Sequence, residues 1–234
     1  MENSIKLITC IGLKYDIDLI YHFCKHYSKF NIDSHHFILH SDVDFELTEY
    51  LELFLLIKSS ELTFEKWIGE FNCIEKIGKF NKIISNSKES HILLTDIDEF
   101  QNHITPIQGD YIWGDLVDRE PEGLKVKKVT ADSIELQFPI KSKVSKWNNT
   151  IKPCLFPSTE RLLSSHFITK QHNNENTIEV DHYRWTNTRL PKSRERYNIH
   201  ARLNKENINF PGGYPVDAQE SRRVVSRLET KTAI

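Results

Sequence analysis

The first forty residues constrain the fold more than any other stretch of the chain. Residues 5–11 read Ile-Lys-Leu-Ile-Thr-Cys-Ile, a β-rich apolar run closed by Gly12. In residues 17–30 the apolar side chains Ile20, Phe23, Tyr27 and Phe30 recur at spacings of three or four, on one face of a helix. Residues 36–40, His-Phe-Ile-Leu-His, form a second strand that runs out into Ser41 and Asp42. Two strands joined through a helix pair parallel, because the crossover carries the chain back to the edge it started from. Parallel sheets bury both faces under helices, so an α/β protein is expected, with a mixed, mainly parallel sheet flanked by helices in a single domain.

Later segments extend this pattern. Residues 46–57 read as a crossover helix whose later part also fits a strand. Phe64, Trp67, Ile68, Phe71, Ile74, Ile77, Phe80 and Ile84 fall on one helical stripe. The spacing predicts a long helix there, weakened but not ended by Gly69 and Gly78. Residues 91–95, His-Ile-Leu-Leu-Thr, have the unbroken apolar look of a strand buried on both faces. Beyond residue 100 the signals shorten. Strands are expected at 111–113, 125–129, 133–138 and 179–185, a polar loop at 170–177, a basic helix at 190–202 and a last helix at 217–228. No internal repeat or low-complexity tract interrupts the chain.

A length of 234 residues suits one mid-sized domain, and 38% hydrophobic residues suffice for a core. Formal net charge is −2, which argues against nucleic acid as a main partner. The charge is nevertheless uneven. Residues 1–100 carry 10 Lys and no Arg against 17 acids, whereas residues 187–234 carry 10 Lys and Arg against 5 acids. The two regions either attract each other across one fold or meet around a metal-bound phosphate, and composition leaves both open. The longest apolar run, residues 53–57, is too short to cross a membrane, and the N-terminus has no secretory pattern. Cys10, Cys24, Cys73 and Cys154 form no CxxC pair, which excludes a zinc knuckle and fits reduced thiols. A cytoplasmic protein is expected, with peripheral membrane contact through the basic tail left open.

The sharpest local feature is Asp96-Ile97-Asp98, placed directly after the buried strand. In parallel α/β sheets, ligands bind at the carboxyl ends of strands. Two carboxylates at i and i+2 there can share a hard cation such as Mg²⁺ or Mn²⁺, which keeps sites for water and phosphate oxygens. A solvated acidic turn produces the same two letters, so the preceding strand and the following Glu99-Phe100 carry the weight.

Thr95-Asp96-Ile97-Asp98-Glu99-Phe100 resembles the DxDEF signature of GT-A-fold glycosyltransferases of the family-2-like and family-92-like kind. Residues 10–16 with the following helix and His35-His36-Phe37 are similar to that family's opening. Residues 110–119 and Gln137-Phe138-Pro139 resemble the segment beyond its metal site. His182-Tyr183-Arg184-Trp185-Thr186, with the basic stretch through Arg196, is similar to its "HYKW…R" ending. The resemblance spans residues 5–200 in order, and it implies a GT-A-like (Rossmann-like) fold. It divides the chain into a nucleotide-binding half, residues 1–100, and an acceptor-side half, residues 101–234, with basic C-terminal helices.

The implied activity is a hexosyl- or deoxyhexosyltransferase dependent on Mn²⁺ or Mg²⁺. It would move sugar from a nucleoside-diphosphate sugar, UDP favoured, to a glycan, glycolipid or glycoprotein. Asp98 would bind the metal, Asp96 the metal or a donor ribose hydroxyl, and His182 the metal or the diphosphate. Thr9, Ile11 and Gly12 would hold the base, Asp42 would lie near the nucleoside, and Lys79 or Lys82 would reach the diphosphate. Arg196 is a further donor contact. An inverting reaction needs a carboxylate base, for which Asp118 is the candidate with Asp115 behind it; a retaining reaction needs none. Trp113 and Trp185 suit stacking against an acceptor sugar, as does Trp147, since an indole face packs on an apolar sugar face. A metal-dependent phosphoester hydrolase, a nucleotidyltransferase and a catalytically inactive GT-A-like binding module are the alternatives.

Overall fold

A computed structural model describes residues 3–48, 50, 61–104, 111–122, 128–142, 151–164, 166–172, 176–183, 186, 188 and 189. The first half runs β1 (Ile5–Gly12), α1 (Leu13–Tyr27), β2 (Ser34–Ser41), β3 (Glu61–Ile68), α2 (Cys73–Ser85) and β4 (His91–Leu94). The second half runs β5 (Glu99–Gln101), β6 (Ile112–Glu120), α3 (Ile134–Gln137), β7 (Ile140–Ser142), β8 (Ile151–Pro157), β9 (Leu162–Ser164), β10 (Phe167–Ile168) and β11 (Thr177–His182).

The main sheet is mixed, in the order β3-β2-β1-β4-β8-β6-β11-β5, with β7 on β6. Its first four strands are all parallel. β8 then runs antiparallel between β4 and β6, β11 returns parallel to β6, and β5 closes antiparallel on β11. The observed α/β architecture agrees with the expected Rossmann-like class. The sheet is also curled. β4 and β5 are separated by three strands in sheet order, about 19 Å if flat. Only residues 95–98 join them, and these contain a tight turn in which the Glu99 amide donates to the Asp96 carbonyl at 3.0 Å. So short a link reaches only if the far edge of the sheet bends back toward β4.

Both faces of β1 are buried, as its unbroken apolar run requires. Ile5, Leu7 and Ile11 pack toward α1, where Leu19, Ile20, Phe23 and Tyr27 form the apolar stripe. Ile8 and Cys10 pack on the other face with Phe80, Ile83 and Ile84 of α2. Fully burying such a large apolar side chain contributes about 1.5–3 kcal/mol, so these two layers hold the parallel half together.

Three expectations are corrected. The helix expected over 64–84 is instead β3 followed by α2. Gly69 adopts a φ of +125°, which turns the chain out of the strand, and the Asn72 side chain accepts from the Ile74 and Glu75 amides to start a new helix. Residues 134–137 form a helical turn rather than a strand. α1 begins four residues earlier than expected, because Gly12 caps the helix instead of opening a loop. The expected helices at 190–202 and 217–228, residues 49 and 51–57 of the element expected at 46–57, residues 125–127 of the strand expected at 125–129 and Trp147 lie outside the described residues; residues 128 and 129 are not in a strand. No helix among the described residues is long and apolar enough to cross a membrane.

Candidate active site

Asp96 and Asp98 stand just past β4, beside the end of β1. The chain leaves β1 toward β2 on one side and enters β4 on the other, so this is the switch point where such sheets bind ligands. The acidic turn is braced from below. Tyr27 of α1 donates its hydroxyl to the Glu99 carbonyl at 2.8 Å, and the Thr95 hydroxyl donates to the same oxygen at 3.0 Å.

β11 completes the site through its register. It places His182 opposite Asp118 of β6 and opposite Glu99 of β5, and the Tyr183 amide donates to the Asp98 carbonyl at 2.7 Å. The His182 ring therefore lies between two carboxylates. Its Nε2 is 3.0 Å from Asp98 Oδ2 and its Nδ1 is 2.8 Å from Asp118 Oδ1. Burial opposes charge on the ring, but the Asp98 carboxylate and the hydrogen bonds to Asp118 and Asp98 outweigh it. They push the His182 pKa up to about 9. Burial would likewise raise Asp98, yet Arg189 and His182 hold its carboxyl far below the usual range.

Arg189 enters from the segment after β11. Its Nη1 lies 2.9 Å from Asp98 Oδ2 and 3.3 Å from Asp16 Oδ1. Asp16 sits in the first turn of α1, where its other oxygen accepts from the Gly12 amide at 2.8 Å. The ends of β1, β4 and β11 are thereby linked by charge.

Asp96 has different company. Lys76, in the first turn of α2, is 2.6 Å from Asp96 Oδ1, and Lys152 of β8 is 3.2 Å from Oδ2. Lys152 is only 2% exposed and also meets Glu99 at 2.6 Å. Burial works against its charge, but Asp96 and Glu99 raise its pKa. Burial and the neighbouring Asp96 and Asp98 push Glu99 upward against Lys152; the short Lys152–Glu99 contact favours the charged pair. Burial would raise Asp96 too, but the two lysines hold it ionised. His166, from the turn between β9 and β10, lies within electrostatic reach of Lys152, Asp96, Lys76 and His182, and burial lowers its pKa to about 4.

These contacts test the fit of a divalent ion. Asp98 and His182 fit: a carboxylate oxygen and an imidazole nitrogen 3.0 Å apart can bind one ion side by side. Asp118 holds the remote ring nitrogen as a carboxylate usually does behind a ligating histidine. In nucleotide enzymes Mg²⁺ is commonly held by one or two carboxylates, phosphates and water supplying the rest, so Asp98 alone could anchor it with His182 beside it. Among the described residues, no set of three or more His, Cys, Asp or Glu side chains is arranged to hold a metal ion by itself. Asp96 instead spends both oxygens on lysines.

The other expected residues are scattered. Thr9 and Ile11 are fully buried within β1, while Gly12 gives its amide to Asp16. Asp42 is exposed at the end of β2, 3.8 Å from Lys14. Lys79 is drawn to Glu65 at 2.6 Å, and Lys82 is exposed in the last turn of α2. Asp115 lies on β6 three residues before Asp118, on the opposite face of the strand. Trp113 is 3% exposed and packed in a core cluster, on a strand paired on both edges. Trp185 and Arg196 lie outside the described residues. Sequence reasoning missed Lys76, Lys152 and Asp16. The only available signal was position: Lys76 is one helical turn before Lys79, on the face that meets the acidic turn.

No family model and no curated protein matches the sequence. Solved structures do. HddC from Yersinia pseudotuberculosis is similar at 10% identity and a TM-score of 0.34, over 50% of this chain and 59% of that one. S. aureus TarS is similar at 9% identity and a TM-score of 0.38, over 97% of this chain and 43% of that one. The chain thus spans about half the length of these proteins, and likeness at this level carries no argument about chemistry.

Proposed function

We propose that the chain is a glycosyltransferase-like enzyme that binds a nucleoside-diphosphate sugar at the end of β4 and transfers its sugar to a glycan or glycoconjugate. The observation that carries the reading is the chain Asp118–His182–Asp98, in contact with Arg189 and placed at the switch point of the sheet. Glycosyl transfer leaves negative charge on a diphosphate, and fixed cations near that oxygen stabilise it. A bound Mn²⁺ or Mg²⁺ would add Lewis-acid neutralisation of the same charge.

The protein's own groups have separable tasks in this reading. Asp98 and His182 hold the ion, and Asp118 orients His182 rather than deprotonating an acceptor, since its Oδ1 is occupied by the ring. Lys76 and Lys152 fix Asp96, keeping it ionised toward the donor. Tyr27 and Thr95 keep the turn in register. UDP is the favoured base, and an inverting course would require a carboxylate other than Asp118 to take the acceptor's proton.

The test is a thermal-shift panel of nucleoside diphosphates and nucleotide sugars, each with Mn²⁺, Mg²⁺ or EDTA. A ligand that binds only the folded state raises the midpoint by mass action. A metal-dependent shift with one diphosphate, lost in Asp98→Asn, supports the donor site. Phosphate release from simple esters without any sugar donor would assign the site to phosphoester chemistry instead.

A further inference from the structure

Asp98 Oδ2 already serves two partners, His182 Nε2 at 3.0 Å and Arg189 Nη1 at 2.9 Å. The His182 ring bonds this oxygen and the guanidinium crowds it at contact distance. An ion shared by Asp98 and His182 would stand against the same oxygen as the guanidinium, and two cations in contact with one carboxylate oxygen repel each other.

Arg189 is also held unlike a structural arginine. Arg119 shows the locked form in the same fold: its Nε and Nη2 meet the two oxygens of Asp181 at 2.7 and 3.0 Å, a bidentate pair. Arg189 is 9% exposed, yet its Nε and Nη1 find no aligned hydrogen-bond acceptor among the described residues. Its hold on Asp98 and Asp16 is therefore charge contact without directional bonding. It lies past the end of β11, where its amide closes only a local turn on the Thr186 carbonyl at 3.2 Å. Asp16 Oδ1, 3.3 Å away, remains a partner if Asp98 is given up.

We propose that Arg189 is a resident counter-ion of the metal site: it neutralises Asp98 in the free protein and yields Oδ2 to an incoming divalent ion. The inference rests on the metal reading of Asp98 and His182. Its consequence is ordered loading. Metal alone displaces Arg189 poorly, whereas an ion arriving with a diphosphate brings the anion that the released guanidinium can pair with. Arg189 is thus a positioning residue that couples metal entry to diphosphate entry.

The test measures Mn²⁺ binding, not turnover, from the electron-paramagnetic-resonance signal of free Mn²⁺ with the full chain. With Mn²⁺ alone, Arg189→Met is expected to bind about tenfold tighter than the wild type, within the usual range of coupling between two ligands. Adding Asp98→Asn should abolish the gain. Arg189→Gln serves as a second variant, with circular dichroism confirming the fold of each. Equal or weaker Mn²⁺ binding in both Arg189 variants overturns the inference and leaves the metal site standing. If no folded variant and no wild type takes up Mn²⁺, even with inorganic pyrophosphate present, the metal reading fails and the inference fails with it.

Discussion

Replacing Lys152 with methionine isolates the buried charge beneath the acidic turn. Lys152 is 2% exposed and touches Glu99 at 2.6 Å and Asp96 at 3.2 Å; Asp96 is 32% exposed, but the buried Glu99 cannot turn to bulk water to recover what it loses. Asp96 keeps Lys76 at 2.6 Å, so the uncompensated charge falls mainly on Glu99, itself 3% exposed. Removing one partner of a buried pair costs about 3–5 kcal/mol, whereas replacing both partners by neutral groups is often close to neutral. For a chain of 234 residues, 1 kcal/mol moves the thermal midpoint by about 2 °C, so Lys152→Met should lower it by roughly 6–10 °C. Adding Glu99→Gln to Lys152→Met should recover most of the loss, because the buried charge is then gone. Differential scanning calorimetry of the wild type, both single variants and the double variant gives the coupling directly. A fall below about 2 °C for Lys152→Met, or a double variant as unstable as the single, would refute the argument that this pair is a desolvated charge contact.

Further outcomes follow from other sites. Asp118→Asn should weaken Mn²⁺ binding by about 10–100-fold while leaving the midpoint of the apo protein within a few degrees, as loss of a carboxylate behind a ligating histidine does; unchanged affinity would show that His182 is not oriented by it. His35 is 1% exposed, neither ring nitrogen has a hydrogen-bond partner among the described residues, and burial lowers its pKa from 6.5 to about 4. Its folded form resists protonation, so stability is full above the unfolded pKa and falls as pH drops toward the folded one. The loss reaches about 2 kcal/mol by pH 5, and it should vanish in His35→Phe; parallel stability–pH slopes for the two proteins would contradict this. Gly114→Ala should lower stability by about 1–3 kcal/mol through overpacking. The new Cβ would meet Cys154 Sγ at 2.5 Å and Val180 Cγ2 at 2.6 Å. Chemical denaturation that shows no loss would mean that β6, β8 and β11 part more easily than their packing implies.

Local patterns located much of this molecule. The unbroken runs of β1 and β4 announced strands buried on both faces, the spacing of Phe23 and Tyr27 announced α1, and the polar end of β4 announced the acidic turn. Periodicity failed where two short elements imitated one long one: the residues of β3 and α2 share a helical spacing across Gly69, whose positive φ breaks the chain between them. It also passed over β8, which carries Lys152. Two prolines make that segment read as loop. In the fold, β4 pairs only with residues 155–157, so Pro153 is paired on one edge alone, opposite Trp113 of β6.

What the sequence determined alone was therefore the α/β class, the parallel opening and the position of Asp96 and Asp98 at a strand end, all properties of neighbours along the chain. What only the tertiary structure decided was the company those carboxylates keep. Asp118 and His182 are 64 residues apart and meet because β6 and β11 pair in one register. Lys152 reaches the turn because β8 runs antiparallel past the short β4, and Arg189 reaches Asp98 because the curled sheet brings β11 back beside it. Hydrophobic periodicity reports which face of an element is buried; strand register, which no local pattern encodes, selects which charges share a site.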